Sequence, residues 1–155
     1  MINEFKCILK NTFFNKQIRL LNGTIPQEIG NLASLQLLSL SQNKLSGTLP
    51  PLGKLAALEK FGVFQNKING TIPSELGNLT NLTQVDCSAA KLKGTIPEEI
   101  GTLKNLTHIV LSQNQLSGTI PKGIENLSML QYLVLSHNKL SGELPALHKL
   151  PSLII

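Results

Sequence analysis

The hydrophobic pattern of this chain recurs about every 24 residues. Each copy places a leucine three residues before an apolar residue, and a second apolar residue follows after one variable position. Alternation of apolar and variable residues over so short a stretch predicts a β-strand with one buried face. The apolar pairs are Leu38/Leu40, Phe61/Val63, Val85/Cys87, Ile109/Leu111 and Leu133/Leu135.

A motif of the form Gly-Thr-Ile-Pro keeps the same period after each predicted strand. Its glycines follow one another at steps of 24, 23, 24, 24 and 24 residues, at Gly23, Gly47, Gly70, Gly94, Gly118 and Gly142. A repeat of this length cannot bury its own apolar face, so neighbouring copies must stack into a solenoid. Because about 18 residues return the chain to the next strand, successive strands are expected to run parallel.

An asparagine follows each strand, and its column is expected to be structural. The members are Asn43, Asn66, Asn114 and Asn138. A side-chain amide offers two donors and an acceptor, so stacked copies can satisfy backbone groups where the chain leaves the sheet. Ala90 occupies this column in the third repeat and interrupts the predicted ladder.

Charge and composition narrow the range of partners. The formal net charge is +5, and about three of these charges lie in residues 1–20. The rest of the chain is nearly balanced and offers no basic face with stacking aromatic residues, so no nucleic-acid partner is expected. No spacing of Ser, His, Asp or Cys indicates a catalytic site, a metal site or a cofactor, and the chain is predicted not to be an enzyme.

The chain contains no apolar run of 18 residues, so no membrane contact is predicted within it. Residues 1–20 lack the pattern of a secretion signal and are expected to be a non-repeat or degenerate N-terminal segment. Residues 21–155 are expected to form one repeat domain of about five full repeats and a truncated sixth. Cys87 falls at a core position and is predicted to be a buried thiol, whereas Cys7 has no obvious partner.

The spaced positions together resemble the plant-type leucine-rich repeat, whose signature includes Leu-x-Gly-x-Ile-Pro after the asparagine. Two of the copies are Leu92-Lys-Gly-Thr-Ile-Pro97 and Leu116-Ser-Gly-Thr-Ile-Pro121. The resemblance covers about residues 21–155. It implies an α/β, right-handed solenoid shaped like a horseshoe, with a parallel β-sheet on the concave face and short 3₁₀ segments and loops on the convex face.

The resemblance also implies a binding function. Ectodomains of receptor-like kinases and receptor-like proteins with this repeat bind peptide or protein ligands, and a co-receptor is a further candidate partner. The full-length protein would then be extracellular or a plasma-membrane ectodomain, and this chain would be a fragment of it. The alternatives are an extracellular inhibitor similar to polygalacturonase inhibitors, and an intracellular scaffold or truncated product without function.

The variable strand positions are the candidate ligand-binding surface. The selected residues are Lys60, Phe64, Asp86, His108, Val110, Tyr132, Val134 and His137. Exposed aromatic and apolar groups among polar ones are typical anchors of binding sites. Strand register is expected to bring Val110, Tyr132 and Val134 together, although incidental exposure of any single residue remains the simpler interpretation.

Two further sets of residues recur on the predicted flanks and loops. Lysines follow the asparagine column at Lys44, Lys67, Lys91 and Lys139, and a solvated edge explains them better than an acidic ligand does. Six N-glycosylation sequons occur, at Asn22, Asn69, Asn78, Asn81, Asn105 and Asn126. The repeat consensus itself generates Asn-Leu-Thr and Asn-Gly-Thr, but an extracellular history also explains them.

Overall fold

The main element is a sheet of parallel strands. The computed structural model describes the backbone of residues 13–14 and all of residues 21–154. Within them, six strands pair in the order in which they occur along the chain, as predicted from the repeat. They are β1 (Phe13–Phe14), β3 (Leu37–Ser39), β5 (Lys60–Gly62), β7 (Gln84–Asp86), β9 (His108–Val110) and β11 (Tyr132–Val134). The solenoid predicted from the repeat is therefore confirmed.

The register of this sheet stacks equivalent positions of successive repeats. Leu38 pairs with Phe61, Phe61 with Val85 and Val85 with Ile109. All four side chains are at most 3% exposed. Since side chains alternate across a strand, the flanking residues of each strand point to the opposite, outward side of the sheet. We call that side the concave face.

A second set of short strands follows the asparagine column on the flank of the solenoid, which the hydrophobic pattern did not predict. These strands form two separate three-stranded sheets. One contains β2 (Asn22–Thr24), β4 (Lys44–Gly47) and β6 (Lys67–Ile68). The other contains β8 (Lys93–Gly94), β10 (Gln115–Gly118) and β12 (Lys139–Leu140). The interruption falls between β6 and β8, in the repeat that carries Ala90.

The convex side carries short 3₁₀ segments, each beginning directly after a motif proline or shortly beyond it. They are η1 (Gln27–Asn31), η2 (Ser74–Asn78), η3 (Glu98–Thr102), η4 (Lys122–Asn126) and η5 (Leu147–Lys149). The connection after Pro50 is one residue shorter than its counterpart after Pro73, and residues 51–58 form turns instead of such a segment. The same shortening leaves η5 with only three residues.

The core lies between the main sheet and the convex segments. Leu55, Leu79, Leu103 and Leu127 close it from the convex side and are fully buried. Burial decreases toward the last repeat, where Leu133 and Leu135 are only partly covered. The domain boundary at residue 20 and Cys7 lie outside the described residues. In the part of the chain that the structure describes, no helix is long and apolar enough to cross a membrane.

Candidate functional site

Two rows of side chains cross the concave face, and the parallel register defines them. In the first row Lys60 pairs with Gln84, Gln84 with His108 and His108 with Tyr132. The second row lies two residues further along each strand. It runs through Ser39, Gly62, Asp86, Val110 and Val134. Six of the eight residues predicted for ligand binding therefore lie on two adjacent lines of one surface.

An aromatic contact on this surface joins His108 and Tyr132. Their rings stack with centroids 4.6 Å apart and planes inclined by 29°. Nδ1 of His108 lies 2.8 Å from Oγ1 of Thr107, which also donates to the carbonyl of Thr83. The imidazole is thus held in place from one side, and it packs against one face of the ring of Tyr132, a residue that is 39% exposed.

Valine side chains adjoin this aromatic pair. Val110 and Val134 are partners in the register of β9 and β11, two residues beyond His108 and Tyr132 respectively. Val134 is 38% exposed, whereas Val110 is half-buried. We call Tyr132, His108, Val110 and Val134 the aromatic patch. Its register agrees with the cluster expected from the sequence, and His108 is an additional member of it.

The remaining two predicted residues lie beyond the strand ends. Phe64 follows β5 and is half-buried, so it is less exposed than the sequence pattern suggested. His137 follows β11 and is exposed, with a backbone φ of 57°. The equivalent residues of the other repeats, Gln42, Gln65, Ala89 and Gln113, also have a positive φ. This backbone conformation turns the chain away from the sheet. His137 is therefore separated from the aromatic patch by the strand end.

A depression of about 230 Å³ interrupts the concave face at Gly62. The sequence did not predict it, because the only sign of a missing side chain is a glycine in a column of larger residues. Ser39, Ser41, Phe64 and Asp86 contribute to its lining, and it extends to His108 and Val110 on β9. We call this depression the Gly62 notch. It shares His108 and Val110 with the aromatic patch, and its largely apolar lining carries the carboxylate of Asp86 and the hydroxyls of Ser39 and Ser41.

Asp86 and Ser41 are the polar groups of most consequence in the notch. Oδ1 of Asp86 accepts hydrogen bonds from the amide and the hydroxyl of Ser88, at 3.0 and 2.7 Å. Ser41 is 8% exposed, and among the described residues its Oγ has no hydrogen-bond partner. A Cβ added to Gly62 would lie 3.1 Å from that Oγ, so the absence of a side chain at position 62 is what gives the Ser41 hydroxyl its space.

The asparagine column is occupied by side chains that bridge adjacent repeats. Oδ1 of Asn66 accepts the amide of Leu45 at 3.0 Å, and its Nδ2 donates to the carbonyls of Leu40 and Val63, both at 3.0 Å. Asn43, Asn114 and Asn138 make equivalent bonds. Each amide therefore joins the end of one strand to the flank of the preceding repeat.

The flank and loop residues surround the concave face without entering it. Lys44, Lys67, Lys91 and Lys139 are all exposed. The six sequon asparagines are exposed too, and none lies in the described strands of the main sheet. Two of them are already engaged, because Nδ2 of Asn81 donates to Ala56 O at 2.8 Å and Nδ2 of Asn105 to Thr80 O at 2.9 Å.

Reactive and ligating groups are sparse within residues 21–154. No group of three or more His, Cys, Asp or Glu side chains there is arranged to hold a metal ion. Cys87 is a free thiol in the core, and burial, followed by the nearby charge of Asp86, raises its pKa far above the usual range. This thiol is therefore protonated and shielded from solvent.

Comparison with protein families and solved structures supports this picture. Two models described as leucine-rich repeat match residues 80–140 and 34–54. A plant peptide hormone receptor, RGFR1 in complex with RGF2, is 45% identical, with a TM-score of 0.85 over 86% of this chain and 22% of that one. The comparison with curated proteins gave no match.

Two further solved structures illustrate the range of similar proteins. The Arabidopsis receptor kinase HAESA, in complex with the peptide hormone IDA and the co-receptor SERK1, is 36% identical, with a TM-score of 0.83 over 86% of this chain and 23% of that one. A plant ice-binding protein is 35% identical, with a TM-score of 0.76 over 81% of this chain and 41% of that one. The present chain spans about a fifth of the two receptor chains.

Proposed function

Since this chain belongs to the leucine-rich repeat family, we propose that it binds an extended peptide or protein segment on its concave face. It acts there as part of a receptor-like ectodomain. Its partners are then the ligand and a co-receptor, and its location is extracellular. The repeat domain that binds them comprises residues 21–155. RGFR1 and HAESA, which are similar over 86% of this chain, were both solved with peptide ligands.

The observation that carries the proposal is the aromatic patch. Tyr132 is a large side chain held in one orientation by the stacked ring of His108, so it loses little conformational freedom on binding. Exposed aromatic anchors of this kind dominate binding energies, and truncating one typically costs more than about 2 kcal/mol. The neighbouring valines extend the apolar area over which a ligand side chain can pack.

The positions of the sequons agree with an extracellular location. None of the six asparagines lies in a strand of the main sheet that the structure describes, so glycans attached to them would leave the aromatic patch accessible. Asn22, Asn69, Asn78 and Asn126 are the preferred acceptors, because Asn81 and Asn105 use their Nδ2 atoms in bonds to the preceding repeat.

Two alternatives use the same fold differently. An inhibitor of a cell-wall-degrading enzyme would bind a folded protein rather than an extended segment, and an intracellular scaffold would carry no glycans. Similarity to an ice-binding protein also means that fold alone does not decide the ligand. The aromatic patch favours peptide recognition, because it is small and lies on the inner surface of the solenoid.

The central experiment is a binding measurement with the folded chain. Wild-type protein is panned against a phage-displayed library of random 12-residue peptides, and the affinities of the enriched peptides are measured. Tyr132→Ala should weaken their binding about tenfold or more without lowering the melting temperature. Met129→Ala is the matched control, because Met129 is 50% exposed but follows the convex segment η4. Equal affinities for wild type and Tyr132→Ala would refute the site.

A second experiment tests the cellular setting. The native protein is immunoprecipitated from its source tissue and sized before and after removal of N-glycans. A species well above 16.8 kDa that shrinks on deglycosylation supports the ectodomain. An unglycosylated species of about that mass supports the intracellular alternative instead.

A further inference from the structure

We propose that the Gly62 notch binds a basic side chain of the peptide, three or four residues away from the residue that packs on the aromatic patch. This inference rests on the proposed function and adds the chemistry and the spacing of the ligand. Three observations support it: the missing side chain at Gly62, the carboxylate of Asp86 on the wall of the notch, and the distance across the strands from Gly62 to the centre of the patch.

The size of the notch favours a single side chain. The second row of the concave face carries a side chain at Ser39, Asp86, Val110 and Val134, and only Gly62 leaves the row open between them. The resulting volume of about 230 Å³ is below the roughly 300–1,000 Å³ typical of pockets for whole small molecules. It therefore suits one residue of a chain that is anchored elsewhere.

The charge of the notch selects a cation. Asp86 is half-buried, and its Oδ1 accepts two hydrogen bonds from Ser88. The ion pair found within residues 21–154 joins Lys149 to Glu125, so no cationic side chain there is paired with Asp86. A partly desolvated carboxylate without a counter-ion attracts an ammonium or guanidinium group more strongly than a fully exposed one does.

Two other titratable groups face the notch, Lys60 on β5 and His108 on β9. Lys60 is exposed, so its charge is solvated and screened. His108 is committed to its contacts with Thr107 and Tyr132. Neither is paired with Asp86 in the structure, and the carboxylate therefore remains the group that decides the preference.

Hydroxyl groups add to this preference. The Oγ of Ser41 is buried beside Gly62 and has no partner among the described residues, which is an unfavourable state for a polar atom. Ser39 lies one strand from Gly62 in the same row. Because a hydroxyl can accept as well as donate, both serines suit the several N–H groups of an arginine or lysine side chain.

The spacing follows from strand geometry. Gly62 lies on β5, and the centre of the aromatic patch lies between β9 and β11, which is two and a half strand intervals away. With about 4.8 Å between strands, that separation is about 12 Å. An extended peptide that crosses the strands advances about 3.3 Å per residue, so three to four residues span it.

The closing experiment again uses the folded chain and the random 12-residue phage library. Peptides enriched by wild type are measured against Asp86→Asn, Gly62→Val and the control Glu59→Gln, which removes an exposed charge outside the notch. Valine is chosen at position 62 because two other repeats already carry valine in the same row, at Val110 and Val134. Each enriched peptide is also tested with its basic residue replaced by alanine.

The expected result has three parts. Enriched peptides carry Lys or Arg three or four positions from an aromatic or large aliphatic residue. Asp86→Asn and Gly62→Val bind them about tenfold more weakly, while Glu59→Gln binds as wild type does. The alanine-substituted peptide binds wild type and Asp86→Asn equally, which assigns the loss to the basic residue.

Two outcomes would overturn the inference in different ways. If Asp86→Asn retains full affinity while Tyr132→Ala loses it, or if enriched peptides lack a basic residue at that spacing, the notch is not the basic subsite and the proposed function stands. If no peptide is enriched whose binding depends on Tyr132, the proposed function fails and this inference fails with it.

Discussion

Asn114 accepts the amide of Leu92 through Oδ1 at 2.9 Å, and it thereby ties one repeat to the flank of the repeat before it. One repeat earlier, the equivalent pair is Ala90 and Ile68. Ala90 has no side-chain oxygen, so it cannot accept a hydrogen bond from the amide of Ile68 as Asn114 accepts one from Leu92. The consequences are visible in the backbone around position 90. Lys91 has a φ of 62°, whereas the equivalent lysines Lys44 and Lys67 lie in strands, and the flank sheet is interrupted there.

Replacing Ala90 by asparagine should therefore stabilise the protein. The new Oδ1 can accept the Ile68 amide, and the new Nδ2 can donate to Val63 O and Cys87 O, as the neighbouring asparagines do. We expect a gain of about 1 kcal/mol in the free energy of unfolding, which raises the melting temperature by roughly 2–4 °C. Thermal and urea denaturation of wild type and Ala90→Asn measure it.

A matched substitution separates the two halves of that gain. Ala90→Asp supplies the acceptor without the amide donors, so it should recover less stability than Ala90→Asn. In the opposite direction, Asn114→Ala should cost about 2–3 kcal/mol because it leaves several buried backbone groups unpaired. A lower melting temperature for Ala90→Asn than for wild type would contradict the role assigned to the column.

A glycine contact on the convex side supports a second prediction. A Cβ added to Gly101 would lie 2.5 Å from the carbonyl oxygen of Gly123 and 2.6 Å from its Cα, so the backbones of η3 and η4 would have to separate. Gly101→Ala should destabilise the protein by about 1–3 kcal/mol. Gly53→Ala is the comparison and should cost less, because its nearest contacts are wider, at 3.0 Å from Cβ and 3.3 Å from the carbonyl oxygen of Glu75. Equal unfolding free energies for both variants would refute the packing argument.

The sequence predicted most of this fold, because the repeat fixes many positions at once. The parallel strands, the buried leucines and the asparagine column each follow from residue types that recur at one spacing. The flank sheet was not predictable in the same way, since each of its strands contains at most one apolar residue, such as Leu45 between Lys44 and Ser46, and so shows no alternation. The break in the asparagine column at Ala90 was visible in the sequence, but the positive φ of Lys91 that accompanies the interruption of the flank sheet was not.

The candidate site was predictable only in part. The strand register places Val110 beside Val134, two residues beyond Tyr132, and any parallel pairing of these repeats in the same register would do so. The stacking of Tyr132 on His108 depends on side-chain rotamers and on the contact between His108 and Thr107, which pattern alone does not give. The Gly62 notch was missed because its importance lies in the space that its neighbours leave open.

The buried thiol provides a third prediction. Cys87 is 2% exposed, and its burial in the core raises its pKa well above the usual range, so it is protonated at ordinary pH. In a Cys7→Ser background, the remaining thiol should react with a thiol reagent at pH 8 only as fast as the protein opens. Reaction in denaturant should be faster by several orders of magnitude. A native rate close to the denatured rate would show that Cys87 is accessible.

A carboxylate holds the last convex segment in place. Oε1 of Glu125, in η4, accepts the amide of Ala146 at 2.8 Å, and its Oε2 lies 3.3 Å from Nζ of Lys149, in η5. The bond from the Ala146 amide, followed by the bond from Lys149, lowers the pKa of Glu125 below its ordinary value of 4.5. The ionised form is therefore the one that the folded state favours.

The attachment of η5 should consequently depend on pH. Because the folded-state pKa is lowered, the contribution of Glu125 is fully present above about pH 4.5 and is lost as the pH falls through the folded pKa below it. Hydrogen exchange of the Ala146 amide, corrected for its intrinsic pH dependence, should show protection that decreases over that range. Glu125→Gln should abolish this decrease, whereas Glu143→Gln, an exposed control on the same side, should leave it unchanged. If Glu125→Gln keeps the pH dependence of wild type, another group controls the attachment of η5.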